Sequence, residues 1–178
     1  MKCSVFIATS LDGFIARENG AIDWLMKANE LAPEGEDGGY HAFIANVDAI
    51  IMGRHSFEMV KTFQPWPYTP PVIVLSEQKI DIPEPLKSMV SHSSEPPVAL
   101  KQRLSNQSMK HLYIDGGITI QRFLRAGCIN ELIITVIPIL LGQGRRLFGD
   151  LEQDIHLQLI ESRTLNGGFV QMHYQIMS

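Results

Sequence analysis

Two short stretches hold residues whose types and spacing suit the capture of an anion. In the first, Asp115-Gly116-Gly117 follows an apolar run at residues 111–114. Ile118, Ile120, Phe123 and Leu124 then recur at helical spacing, and Gly127 marks the stop. A glycine pair between strand and helix removes two Cβ atoms where a ligand must approach the backbone. The N–H groups that open the helix favour a negative group, typically a phosphate. In the second stretch, Gly53-Arg54-His55-Ser56 follows the strand-like residues 48–52 and opens a helical pattern over 56–63. Arg54 offers a planar fork of donors and Ser56 an N-cap hydroxyl. Each junction also has a plainer reading: a tight turn with close helix–sheet packing, or an ordinary cap with a solvated arginine. Together they suggest a ligand with phosphates at both ends, hence a dinucleotide.

The elements that must position these groups can be read around them. Residues 3–9 form a central strand, Leu11-Asp12-Gly13 turns it, and residues 14–16 return briefly. The segment from Asp12 to Asp23, with Trp24 after it, reads either as a lid over a ligand or as a surface hairpin anchored by the tryptophan. A helix is expected over 40–46 and a buried strand over 72–75, ending at Ser76, where α/β sheets place ligands. Further expectations are a short strand at 86–90 and an amphipathic helix at 97–106. A β-branched strand buried on both faces is expected at 132–139, then a hairpin of 155–160 with 168–176 around Leu165-Asn166-Gly167. The alternation in 169–176 suits a half-exposed edge. Gln143-Gly144-Arg145-Arg146 reads as a basic turn. The order of elements predicts an α/β domain with a mixed, mostly parallel sheet, helices on both faces and an antiparallel C-terminal end.

The 178 residues suit one domain spanning 1–178, and 45% hydrophobic content supports a full core. A net charge of −4 argues against a nucleic-acid or anionic-membrane surface as the main business. No apolar run approaches a membrane span, and MKCSVFIATSLDG lacks the pattern of a secretory signal. Cys3 and Cys128 read as buried free thiols of a cytoplasmic protein, and no Cys/His spacing suggests a metal.

The motifs SLDGFIA, DAIIMGRHSFE and IDGGITIQRFL…INELIITVIPILLGQGRRLF occur here in one order over nearly the whole chain. In that order and spacing they resemble the dihydrofolate reductase superfamily, in the branch that includes the C-terminal reductase domain of riboflavin biosynthesis. The resemblance implies the three-layer dihydrofolate-reductase-like fold and an enzyme that binds NADPH and passes hydride to a small-molecule substrate. The implied reaction is similar to that of 5-amino-6-(5-phosphoribosylamino)uracil reductase. Dihydrofolate reduction and a non-catalytic dinucleotide-binding module are the alternatives.

By motif, Gly53, Arg54, His55 and Ser56 would hold the adenosine-side phosphates, and Leu75 and Ser76 would flank the adenine ribose. Asp115, Gly116, Gly117, Ile118 and Thr119 would take the pyrophosphate, and Ala8 and Ile15 would frame the nicotinamide. Asp37 would be the acid, with a pKa raised beside an apolar ring, and Thr135 its supporting hydroxyl. The absence of Arg or Lys between Phe63 and Val72 argues against folate. Glu77 beside Ser76 leaves NADP against NAD open, with Lys79 near. A phosphoribosyl substrate would need a cation, which Arg17 or Arg145 could supply. The long apolar run 133–141, where related domains pair, implies a homodimer.

Overall fold

In a computed structural model of the chain, residues 1–30, 33 and 35–177 are described. Along the chain run β1 (Lys2–Ser10), β2 (Phe14–Ala16), α1 (Asp23–Glu30), α2 (Tyr40–Ile44), β3 (Ala49–Gly53) and α3 (Arg54–Val60). They are followed by β4 (Val72–Leu75), β5 (Val90–Ser93), α4 (Pro97–Asn106), β6 (His111–Asp115) and α5 (Gly117–Arg125). The chain closes with β7 (Glu131–Ile137), β8 (Arg145–Arg146), β9 (Leu157–Thr164) and β10 (Val170–Ile176). Eight strands form one sheet in the order β5-β4-β3-β6-β1-β7-β10-β9. From β5 to β7 every pairing is parallel, and β10 and β9 then add an antiparallel hairpin.

Strand alternation divides the interior into layers. Ile51, Ile73, Leu112 and Ile114 face a core with α4 and α5, through Leu100, Leu104, Ile120 and Phe123. Their neighbours Ile50, Met52, Val72, Val74 and Tyr113 face the other side, against Phe57 and Val60 of α3, with Phe43 of α2 beside them. A smaller cluster joins Trp24 and Ala28 of α1 to Ile137 and Phe169. The structure is therefore the three-layer fold that the motifs implied, with a mixed, mostly parallel sheet and helices on both faces.

Several local expectations are corrected. Residues 23–30 form a helix that the sequence pattern does not predict, directly after the Asp12–Asp23 segment, and Trp24 is buried in it. The strand expected at 86–90 lies at Val90–Ser93, after a 3₁₀ turn at Glu84–Leu86. Residues 145–146 pair with β2 and so are strand, not turn. β10 is an inner strand between β7 and β9, so the edge is β9, all eight of whose residues are exposed. The run 133–141 is no exposed edge either, because β7 lies between β1 and β10, and Ile139 and Leu141 pack near Trp24.

Candidate functional site

The order β3-β6-β1 places three parallel strand ends side by side. The chain builds outward from β3 to β5, then returns to insert β6 beside β3, and ligands bind at such reversals. Met52 is level with Asp115 in the β3–β6 ladder, so the two strand–glycine–helix junctions are immediate neighbours on one rim. The expectation that they grip opposite ends of a long ligand is corrected: parallel pairing brings them together.

The glycines themselves answer to packing. A Cβ on Gly116 would strike Ser56 Oγ, and one on Gly53 would stand 2.9 Å from Thr119 Oγ1. A Cβ on Gly117 would stand 2.9 Å from both Ile15 Cδ1 and the Arg146 carbonyl oxygen. Each junction thus seats a hydroxyl of the other. Gly116 also has φ 85°, a conformation that side chains with Cβ rarely adopt. Ser56 is not the cap: Gly53 holds that position in α3 and Gly116 in α5, and neither helix has a side-chain cap. The amides of both first turns are left for another partner.

That rim borders a cavity of about 1640 Å³. Gly53, Arg54, His55, Ser56, Leu75, Asp115, Gly116, Gly117, Ile118 and Thr119 all line it, as do Ala8, Ile15, Asp37 and Thr135. Ser76 does not; its hydroxyl accepts from Gln78 N at 3.1 Å and stabilises the turn after β4. Arg54 donates to Gln78 Oε1 at 3.0 Å, which holds its guanidinium beside that strand end.

Asp37 is not the proton-bearing acid expected from the sequence. The His41 amide donates to it at 2.7 Å and the Gly39 amide at 2.8 Å, and its carboxylate pairs with the His41 ring. The His41 amide, the largest influence, and the other donors pull its pKa down to about 2 against a smaller opposing effect of burial. Thr135 does not support this carboxylate. Its Oγ1 accepts from Gln171 Nε2 at 3.0 Å, and that nitrogen also reaches the Gly38 carbonyl at 3.0 Å. Arg163 donates to Gln171 Oε1 and to the Gly38 oxygen, both at 2.6 Å. Thr135 therefore belongs to a latch that ties the acidic loop to the C-terminal hairpin.

The carboxyl suited to hold a proton is Asp115. It lies on the cavity floor at the end of β6, and desolvation pushes its pKa up to about 6 despite a hydrogen bond from the Gly116 amide. Tyr113 donates to the Phe6 carbonyl at 2.8 Å and stands 3.4 Å from Asp115 Oδ1. Tyr40 and Tyr68 also line the cavity, and the Asp115 charge adds to burial in pushing up both phenols. Sequence reasoning missed these tyrosines because they come from β6, from α2 and from the proline-rich segment after α3. No local spacing joins them.

Asp12 fixes the turn that carries Ile15. It accepts from Ser10 Oγ at 2.6 Å, Leu141 N at 3.1 Å and Gly142 N at 2.7 Å. The Ser10 hydroxyl leads these effects in lowering its pKa to about 2. The SLDG turn is thereby clamped to the loop after β7, and β2 is set against β8 above Gly117. Among the described residues no helix is long and apolar enough to cross a membrane.

Comparison with known proteins agrees with this architecture. The family model described as RibD C-terminal domain matches residues 2–171. The uncharacterized protein YwjB of Bacillus subtilis (strain 168) is 37% identical over 175 residues, which are 97% of each chain. A crystal structure from Shewanella sp. PV-4, with a provisional assignment to riboflavin biosynthesis, is 39% identical and superposes with TM-score 0.94, covering 100% of both chains. RibD of Acinetobacter baumannii shares the fold at TM-score 0.74 and 20% identity, covering 99% of this chain and 58% of that one. From the sequence match and the fold alike, the chain belongs to the RibD C-terminal domain family.

Proposed function

We propose that this chain is an NADPH-dependent reductase that transfers hydride to a small heterocyclic substrate. One observation carries the reading: an uncapped α5 N-terminus opens into a cavity of about 1640 Å³. That exceeds the ~300–1,000 Å³ of a pocket for one drug-sized ligand. A coenzyme and a second ligand account for the space.

The amides of Gly117, Ile118 and Thr119, beside Gly116, suit a pyrophosphate. Gly53, Arg54, His55 and Ser56 extend the same rim towards Leu75, which would flank the adenine ribose. Arg54, held by Gln78 beside the β4 end, would neutralise a 2′-phosphate and offset Glu77. Its position favours NADPH over NADH. Ala8 and Ile15 would frame the nicotinamide.

Bound NADPH supplies the hydride. Asp115 holds the accompanying proton on its carboxyl, where the low-polarity floor keeps the neutral form populated. Tyr113, anchored on the Phe6 carbonyl, keeps that carboxyl in place. Leu25, Met26 and Asn29 of α1 wall the cavity and would limit the entry of water. A second copy of the chain covering the exposed β9, with Leu157, Leu159 and Ile160, fits the expected homodimer, and sedimentation velocity reads it directly.

Titration with NADPH, followed by the coenzyme's own fluorescence, tests the main reading. The protein is expected to bind, and Gly116→Val, which drives a side chain into Ser56 at a positive φ, is expected to weaken binding by at least about tenfold. No change in emission at ~1 mM NADPH would remove the proposal.

A further inference from the structure

Asp115 ends β6 where α5 begins. Its carboxyl accepts the Gly116 amide, and the next amide, that of Gly117, opens α5 without a side-chain cap. Ser56 Oγ lies against Gly116 and Thr119 Oγ1 against Gly53, so two hydroxyls border the same junction. The proposed pyrophosphate seat and a half-buried carboxyl therefore share one junction of strand and helix. Two anions placed there disfavour each other's charged forms.

Nothing bonded to Asp115 relieves that conflict. The influences on its carboxyl are burial, the largest, then the Gly116 amide and the Tyr113 hydroxyl, none of them a cation. From other elements it faces Tyr40 of α2 and Tyr68 of the segment before β4, whose phenols are neutral at neutral pH. The remaining charged groups of the cavity are Arg54, His55 and Glu58 on α3, Arg122 on α5, and Arg145 and Arg146 on β8, with Asp23 on α1 and the loop carboxylates Glu36 and Asp37. Arg54 is held by Gln78, Arg145 by the Glu18 carbonyl, and Arg146 lies over the Phe14 ring. Asp23 is forked by Arg17, and Asp37 is engaged with His41. In the free protein Asp115 titrates at about 6, so at pH 7 a minority of molecules carry the proton.

We propose, on the basis of the reductase reading, that Asp115 takes up one proton from solvent when the coenzyme's pyrophosphate seats on the α5 amides, so that coenzyme binding loads the acid. One O–H bond forms on the carboxylate, and nothing is oxidised or reduced in this step. The coupling is reciprocal: an anion that promotes protonation is itself bound more tightly by the protonated form. Coenzyme affinity is therefore highest below about 6 and falls as pH rises beyond it. In kinetics, kcat/KM for the coenzyme reports the free protein and keeps its limb near about 6, whereas kcat reports the complex and has its limb at higher pH.

Calorimetric titration with NADPH at pH 7, repeated in buffers of different ionisation enthalpy, counts the protons. Uptake of more than about half a proton per coenzyme is expected, with affinity falling about five- to tenfold from pH ~6.5 to ~7.5. Asp115→Asn keeps an acceptor for the Gly116 amide and removes the charge. It is expected to bind NADPH at least as tightly at neutral pH and to lose both the uptake and the slope. His55 is the other rim group able to take up a proton near neutral pH, and His55→Gln should leave the Asp115 share in place. In the parent protein, infrared difference spectra should gain a protonated-carboxyl band when NADPH binds, a readout that needs no variant. NADPH binding without proton uptake, uptake that survives in Asp115→Asn, or no new carboxyl band would overturn the proposal and leave the reductase reading standing. Absence of binding would remove that reading and this proposal with it.

Discussion

The two ends of the parallel strands carry contrasting polar clusters. At the N-terminal end, Glu131 is buried and fully engaged. Lys2 Nζ lies 2.7 Å from its Oε1, Ser4 Oγ donates to the same oxygen at 2.7 Å, and His173 Nε2 lies 3.0 Å from Oε2. Ser4 Oγ also lies 2.7 Å from His111 Nε2, and His111 Nδ1 reaches the Asn46 carbonyl at 2.9 Å. At the C-terminal end, Asp115 has one amide and one long contact from Tyr113, with two tyrosine hydroxyls near it that have no described partner. Glu131 is buried and Asp115 is half-buried at the cavity. Glu131 has partners enough to outweigh burial, so its pKa falls; Asp115 does not, so its pKa rises. A saturated buried network holds the sheet together, whereas an unsaturated one at a cavity floor is ready for a ligand.

The largest effect that can break this contrast is on turnover. Asp115→Asn keeps the shape and removes the titrating proton, so reduction is expected to slow by about 10²–10⁴-fold if the group acts as general acid. In the parent protein kcat/KM should fall as pH rises through about 6, and the variant should lose that limb. The stability sign follows from the same raised pKa. Asp115 favours the folded state fully below its unfolded pKa, and that contribution is lost as pH rises through about 6. A variant with an unchanged pH profile would show that the unpaired floor carboxyl has no part in the chemistry.

The saturated cluster should respond in the other quantity. Glu131→Ala leaves Lys2, Ser4 and His173 without their shared partner, at a cost of about 3 kcal/mol, the low end for a broken buried pair because Lys2 is half exposed. Denaturant unfolding measures the loss, and NADPH affinity should not change. The lowered Glu131 pKa means that its contribution is present above the unfolded carboxylate pKa and is lost as pH falls through the folded one. Stability that is flat on acidification in the parent, or an equal loss in the variant of coenzyme binding, would erase the distinction between the two ends.

How far this contrast could be read from the chain itself depends on range. Helix α4 was legible residue by residue, because Pro97 opens it and Val98, Leu100 and Leu104 give the local pattern. Both strand–glycine–helix junctions were legible for the same reason. Helix α1 was not, since only Trp24 and Ala28 of its eight residues are buried and too few apolar positions reveal the period. Strand β5 reads Val-Ser-His-Ser, with only its first and last residues buried, and was placed too early. The side-by-side placement of the junctions depends on β6 entering beside β3 after two other strands, which no local pattern records. The tyrosines around Asp115 depend on the same long-range order.

Asp37 sharpens the comparison with the smallest effect. It stands on the cavity rim with a side chain 31% exposed, yet its oxygens already serve Gly39 and His41 at the start of α2. In DGGYH the aspartate fits a local turn-and-cap role better than an acid's, because Asx side chains bond to amides a few residues on. With a folded pKa of about 2, it carries no proton at neutral pH and has none to deliver. Asp37→Asn keeps one accepting oxygen and should leave the pH dependence of turnover in place, with a rate within about threefold of the parent, far less than the loss of a general acid. Its folding contribution is present above the unfolded aspartate pKa and is lost as pH falls towards about 2, so the variant should differ most from the parent at neutral pH and least in acid. Loss of the pH limb in Asp37→Asn and its retention in Asp115→Asn would exchange the two assignments, and would move the proton source from the floor of the cavity to its rim.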